Sequence, residues 1–134
     1  MGQTGLHIAR SVLDKIAAHA AREHPRECCG ILTGSGMDVT GTLPAGNVHS
    51  SPETHFEIDP QALIDAHRAT RSGGPDVLGY YHSHPHGPAR PSPTDARMAA
   101  GDGRIWAIAT RGEVTCWRDD ESGFLALPYI VTGA

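Results

Sequence analysis

The chain has 134 residues, of which 39% are apolar and 19% charged, and its formal net charge is −4. This length and composition predict one globular domain with its own hydrophobic core rather than a disordered segment. The lysines and arginines form no basic cluster, so nucleic acid is not an expected partner. Charges run throughout residues 1–24, so we expect neither a signal peptide nor a membrane span, and no membrane partner.

The first half of the chain predicts two helices separated by strands. In chain order, the expected elements are a helix over 8–23, strands over 28–34, 37–45 and 55–59, and a helix from 60 to about 71. Pro25 stops the first helix, because proline cannot continue a helical hydrogen-bond ladder. Asp59 followed by Pro60 is typical of an N-cap with proline at the first helical position.

The second half predicts a strand-rich region with one short helix. The expected elements are strands over 77–84, 104–110, 113–118 and 124–131, and a helix over 93–100. Pro128 indicates a bend or an edge position in the last strand. The element order indicates an α/β (or α+β) fold, with one domain over 1–134 and helices packed on a mixed sheet.

The three cysteines, Cys28, Cys29 and Cys116, do not suit a disulfide framework, because their number is odd and two are adjacent. Reduced thiols fit better, and they indicate a cytoplasmic protein. The strand that begins at Cys28 is partly apolar, so burial of an inert thiol is expected rather than a catalytic cysteine.

The polar residues concentrate in one stretch, YYHSHPHGPARPSPTD, over 80–95. His82 and His84 are two apart on an expected strand, so their imidazoles project from one face while Ser83 points the other way. Two neutral imidazoles on one face are good ligands for a divalent metal such as zinc. The stretch is therefore a candidate metal site.

A catalytic zinc site usually has three protein ligands, and this stretch offers two candidates for the third. Asp95 is favoured, because it lies in the expected first turn of a helix, where a carboxylate stays ionised. His86 is the alternative, but Pro85 interrupts the strand before it. Ser92 to Asp95 is also an ordinary helix-capping pattern, and capping is compatible with ligation because it would hold Asp95 still.

The joint pattern of Glu27, His82-Ser83-His84, Ser92 and Asp95 resembles the motif of the JAMM (MPN-plus) metalloprotease family. The resemblance implies a cytidine deaminase-like mixed sheet and hydrolysis of an amide bond without a covalent intermediate. It also implies that His82, His84 and Asp95 bind Zn²⁺ and leave one position for a water. Glu27 would then act as general base, and Ser92 would donate a hydrogen bond to the oxyanion.

The shortness of the chain is similar to the compact prokaryotic branch of that family. Some members there act at the C-terminus of ubiquitin-like sulfur-carrier proteins, so the resemblance implies a protein substrate of this kind. A hydrolase acting on another peptide or small amide, and a non-enzymatic MPN-type interaction module, remain as alternatives. The sequence indicates neither the scissile bond nor the oligomeric state.

Overall fold

The computed structural model describes residues 5–133. These residues form one mixed sheet of eight strands, together with three helices. The strands are β1 (Leu6–Ala9), β2 (Cys29–Ser35), β3 (Asp38–Ala45), β4 (Asp76–Ser83), β5 (Ile105–Thr110), β6 (Glu113–Asp120), β7 (Gly123–Leu127) and β8 (Tyr129–Thr132). The helices are α1 (Arg10–Glu23), α2 (Pro60–Arg71) and α3 (Pro93–Met98). None of the helices in this described part combines the length and the hydropathy that a membrane crossing requires.

All eight strands belong to one sheet, in the order β7-β6-β5-β4-β2-β3-β1-β8. Strand β4 pairs with β2 in antiparallel and with β5 in parallel orientation, so the sheet is mixed, as the sequence predicts. Both neighbours of β4 are long and buried. Strand β4 therefore lies in the interior of the sheet, and its carboxyl end is held on both sides.

The core lies on both faces of the sheet. Helix α1 packs on one face through Val12, Leu13 and Ile16, and helix α2 lies on the other, where Ala66 is buried. Strand β2 contributes to both layers, because Leu32 faces the first cluster and Ile31 the second. Burial on both faces explains why this strand reads as a continuous apolar run rather than an alternating one.

Three details of the chain differ from the elements that the sequence predicts. Residues 6–9 form strand β1 rather than the start of the first helix, because they pair in parallel between β3 and β8. Residues 55–59 form no strand, and only an isolated bridge joins Asn47 to Ile58. The expected strand over 124–131 is interrupted at Pro128, and its halves β7 and β8 lie at opposite edges of the sheet.

Gly30 lets the Tyr81 ring lie flat against strand β2 beside the site-bearing end of β4. A Cβ atom on Gly30 would overlap the nearest ring carbon of Tyr81. The ring cannot retreat, because Tyr81 is buried and its hydroxyl is hydrogen-bonded to Nδ1 of His19 in α1 at 2.7 Å. Glycine at this position is therefore a packing requirement.

We predict that Gly30→Ala lowers the free energy of unfolding by about 1–3 kcal/mol, because the added methyl group overpacks the core. Gly46→Ala is the control, since a Cβ on Gly46 would meet no atom within 4 Å. Urea unfolding of both variants measures the difference. Equal stability of the two variants would show that Tyr81 can move.

Candidate metal centre and active-site cleft

His82 and His84 are held at the carboxyl end of β4 by the strands on either side. His82 is paired with Cys29 of β2 and Ile108 of β5, and the ring is buried. His84 follows the last residue of the strand, and its N–H donates to the carbonyl of Ala109 at 2.9 Å. Both rings lie on the same side, as the two-residue spacing predicts, with their Nε2 atoms 3.0 Å apart.

Asp95 closes this group from helix α3. Its Oδ2 lies 3.2 Å from Nε2 of His82 and 3.0 Å from Nε2 of His84. The carboxylate is fixed by a capping box, in which Asp95 Oδ2 accepts from the N–H of Ser92 at 2.9 Å and the N–H of Asp95 donates to Oγ of Ser92 at 3.0 Å. Capping and convergence on the histidines therefore occur together.

The three convergent atoms fit a single divalent ion. A tetrahedral zinc with bonds of about 2.0–2.1 Å separates its ligand atoms by about 3.3–3.4 Å, which is close to the observed spacing. The donor set of two imidazole nitrogens and one carboxylate oxygen also suits zinc. Among residues 5–133, His82, His84 and Asp95 are the only group of at least three potential ligands that meets in this way.

The protonation states of this group follow from burial and hydrogen bonding. Burial lowers the pKa of His82, so its ring stays neutral. Burial opposes ionisation of Asp95, but its hydrogen bonds with His82 and His84 outweigh this and hold its pKa well below 3.8. Burial also lowers the pKa of His84, yet the hydrogen bonds to Asp95 and to the Pro88 carbonyl leave that pKa above 6.5. Only His84 would need to lose a proton before binding a metal.

The tautomer of His84 is set by a backbone carbonyl. Its Nδ1 lies 2.8 Å from the carbonyl oxygen of Pro88, which can only accept, so Nδ1 carries the proton. The lone pair of the neutral ring is therefore on Nε2, the atom that faces Asp95. This arrangement is usual for a histidine that binds a metal, because the second nitrogen fixes the orientation of the ring.

His86, the alternative third ligand, lies outside this group. Its side chain is exposed, and its ring stands edge-on to the ring of His24 with centroids 5.5 Å apart. The strand has ended before His86, so the alternation that aligns His82 with His84 no longer applies. The geometry therefore favours Asp95 over His86 as the third candidate ligand.

Glu27 and Ser92 line one cleft of about 400 Å³ together with His84. Glu27 is buried, and burial raises its pKa from 4.5 to about 7. Two smaller effects act in opposite directions, because the charge of His84 lowers this pKa and that of Asp95 raises it. A carboxyl group with a pKa near the working pH is suited to accept and return a proton. The structure thus brings together the five residues singled out from the sequence.

Ser83, the middle residue of the His-Ser-His motif, joins the two halves of the site. Its Oγ accepts the N–H of Cys28 at 2.8 Å, and its own N–H donates to the Cys28 carbonyl at 3.1 Å. This double contact fixes Cys28, the residue that follows Glu27, against the end of β4, between the two histidines. Burial raises the pKa of the Cys28 thiol to about 11, which fits the expectation that it is inert.

Two residues that sequence reasoning missed support the centre from residues 46–58. Phe56 stacks on His82, with ring centroids 4.3 Å apart and planes 17° from parallel. Asn47 donates to the backbone carbonyls of both Glu27 and His55 at 2.9 Å. The one available signal was that Asn47 is the single asparagine in the chain, but its partners are distant in sequence.

Residues 9–120 match the family described as prokaryotic homologs of the JAB domain, Prok-JAB. The chain belongs to this family. The JAMM resemblance drawn from the motif is thereby confirmed at the level of family.

Several Prok-JAB relatives carry names that describe what they act on. The desampylase of Haloferax volcanii is 35% identical over 90% of this chain and 94% of its own length. A probable TtuB-protein conjugate cleaving protease of Thermus thermophilus is 43% identical over 70% of this chain and 63% of its own length. The CysO-cysteine peptidase of Mycobacterium tuberculosis is 33% identical over 79% of this chain and 74% of its own length.

Solved structures agree on the fold. Protein DSY2949 of Desulfitobacterium hafniense superposes with a TM-score of 0.84 at 29% identity, covering 96% of this chain and 94% of that one. AF2198, a JAB1/MPN domain protein of Archaeoglobus fulgidus, superposes with a TM-score of 0.65 at 21% identity, covering 96% of this chain and 100% of that one. The mixed sheet with packed helices is therefore the JAB1/MPN fold.

We predict that Glu27→Gln stabilises the metal-free protein at alkaline but not at acidic pH. Because burial raises the pKa of Glu27 from 4.5 to about 7, the folded protein loses stability as the pH rises through this window. The variant lacks this loss, and its unfolding free energy at pH 8 should exceed that of the wild type by about 1–3 kcal/mol. At pH 4 the two proteins should agree.

Chemical denaturation in the presence of a chelator measures this difference, with the exposed Glu57→Gln as control. A Glu27→Gln gain that is the same at pH 4 and pH 8 would contradict an origin in the ionisation of Glu27.

Proposed function

We propose that this Prok-JAB protein is a zinc-dependent peptidase or isopeptidase that hydrolyses an amide bond at the C-terminus of a ubiquitin-like sulfur-carrier protein. The observation that carries the proposal is the convergence of His82, His84 and Asp95 beside a cleft that also contains Glu27 and Ser92. The names of the relatives, a desampylase, a probable TtuB-protein conjugate cleaving protease and a CysO-cysteine peptidase, support the substrate class.

In the proposed mechanism, His82, His84 and Asp95 would hold the zinc ion. When bound, zinc supplies a Lewis acid that polarises the amide carbonyl and lowers the pKa of water from about 15.7 to about 7. The chain contributes the rigid arrangement of the ligands through strand β4 and the Ser92–Asp95 capping box.

Glu27 is the proposed general base. Its carboxylate accepts a proton from the attacking water, and the same carboxyl group then delivers that proton to the nitrogen of the leaving amine. In the metal-free protein, burial raises the pKa of Glu27 to about 7, and a raised pKa suits a carboxyl group that must accept a proton and then return it. No covalent bond between substrate and protein forms in this sequence.

Ser92 is the proposed donor to the oxyanion. Its Oγ already accepts the N–H of Asp95, so the hydroxyl proton is free to be donated to another acceptor. Ser92 also lines the cleft, where that donor could meet the carbonyl oxygen of the scissile bond as negative charge develops. Capping thus orients the hydroxyl without consuming its proton.

The cleft of about 400 Å³ fits the proposal of a slim, extended substrate. Four prolines, Pro85, Pro88, Pro91 and Pro93, lie along its wall and restrict the backbone there. A flexible carrier tail that ends in glycines presents little side-chain bulk at the scissile bond. The leaving group would be an amine of a conjugated protein, by analogy with the conjugate cleaving protease, or a cysteine, by analogy with the CysO-cysteine peptidase.

We predict that the purified protein binds about one equivalent of Zn²⁺ and that Asp95→Ala loses it, whereas His86→Ala retains it. Asp95 contacts both candidate histidine ligands, while His86 contacts neither of them. Metal analysis after dialysis measures the content of each variant. Loss of zinc in His86→Ala, with retention in Asp95→Ala, would reverse the ligand assignment.

We predict that the protein releases a carrier from a lysine conjugate or from a C-terminal cysteine, and that Glu27→Gln lowers kcat by roughly 10²–10⁴-fold while zinc is retained. Both carrier substrates and a free peptide should be compared with and without chelator. Full activity of Glu27→Gln would refute its role as base. Cleavage of free peptides alone would indicate another amide hydrolase, and no cleavage by the zinc-loaded wild type would indicate an interaction module.

A further inference from the structure

The two histidines of the candidate centre are oriented in different ways. His84 has its Nδ1 hydrogen-bonded to the Pro88 carbonyl, which fixes both its tautomer and the rotation of the ring. His82 Nδ1 is buried and has no hydrogen-bond partner among residues 5–133. A ligand histidine normally receives its orientation from such a bond, so something else must fix the His82 ring.

Aromatic side chains surround His82 instead. Phe56 lies face to face with the His82 ring at a centroid distance of 4.3 Å, and Trp106 meets it edge-on at 5.7 Å and 90°. Phe56 and Trp106 also contact each other edge-on at 5.8 Å. All three side chains are buried, so rotation of the His82 ring would require Phe56 to move with it.

Phe56 lies in a segment without regular secondary structure, and Asn47 fixes that segment. The Asn47 amide donates to the His55 carbonyl at 2.9 Å, and its Oδ1 accepts the N–H of Glu57 at 3.0 Å. The residues on both sides of Phe56 are therefore held by one side chain. The same amide donates to the Glu27 carbonyl at 2.9 Å, so one residue relates the Phe56 segment to Glu27.

We infer that Phe56 is a positioning residue for the candidate ligand His82. Asn47 in turn fixes the backbone around Phe56 relative to the backbone of Glu27. The inference rests on the proposed metal site, but it concerns metal binding alone and requires no particular substrate. Stacking replaces the missing hydrogen bond by holding the plane of the His82 ring, the plane in which Nε2 faces His84 and Asp95.

The chain offers a matched control for Phe56. Its only other phenylalanine, Phe124, belongs to the same aromatic cluster and contacts Trp106 edge-on at 5.0 Å. Phe124 makes no ring contact with His82 among the aromatic pairs of the described residues. The variants Phe56→Leu and Phe124→Leu therefore make the same truncation beside Trp106. Only Phe56→Leu removes the stacking contact with His82.

We expect Phe56→Leu to weaken Zn²⁺ binding by about 10–100-fold, the usual effect of losing a group that orients a metal ligand. Phe124→Leu should stay within threefold of the wild type. Competition with a chromophoric chelator measures the affinity, and the visible spectrum of the Co²⁺-substituted proteins reports the ligand geometry. Phe56→Tyr, which keeps the flat ring, should restore both readouts.

Wild-type affinity in Phe56→Leu, or equal weakening in Phe124→Leu, would overturn the inference. Thermal unfolding of the metal-free proteins identifies variants that do not fold. If Phe56→Leu does not fold, Phe56→Met, whose flexible side chain fills irregular gaps, is used in its place, with the same expected loss of affinity and the same contrary result.

Asn47→Asp tests the second part of the inference, because it keeps the size and one acceptor oxygen but removes both N–H donors. We expect it to weaken Zn²⁺ binding by at least threefold although Asn47 contacts none of the three candidate ligands through a hydrogen bond. An unchanged Zn²⁺ affinity would show that Asn47 does not help to position Phe56. Failure of carrier cleavage in the wild type, by contrast, would affect the proposed function and leave this result intact.

Discussion

The buried carboxylate of Asp95 is the interaction on which the site depends. An ionised carboxylate out of water is costly unless it is hydrogen-bonded. Here the side chain accepts from the Ser92 N–H and lies within 3.2 Å of the reactive nitrogens of His82 and His84. Helix α3 has only six residues, too few to be stable alone, so the capping box and these side-chain contacts determine where it lies.

The tripeptide His82-Ser83-His84 connects the candidate site to the core of the fold. Each residue contacts a different part of the fold: His82 contacts α3, Ser83 contacts Cys28 just before β2, and His84 contacts the loop at Pro88. Loss of any one partner would leave a buried polar group unsatisfied, at a cost of about 1–3 kcal/mol. The candidate site and the stability of the central strands are therefore coupled.

The sequence predicted the parts of this arrangement that depend on local geometry. Alternation along a strand was enough to align His82 with His84, and the capping pattern was enough to begin a helix at Pro93. Strand β1 could not be predicted, because four residues beside a helix become a strand only through pairing with distant partners. Phe56 and Asn47 were missed for the same reason, since their contacts with His82 and Glu27 join residues 20 or more positions apart.

The centre is assembled by hydrogen bonds among protein groups, and this bears on how a metal would load. In a structural zinc site, ligands that repel or ignore one another in the free chain are gathered by the ion, so binding and folding are one event. Here Asp95 is held ionised, His82 is neutral, and the raised pKa of His84 allows a proton to balance the carboxylate. A dication would take the place of that proton among side chains that the Ser92–Asp95 capping box and the His84–Ala109 backbone hydrogen bond hold.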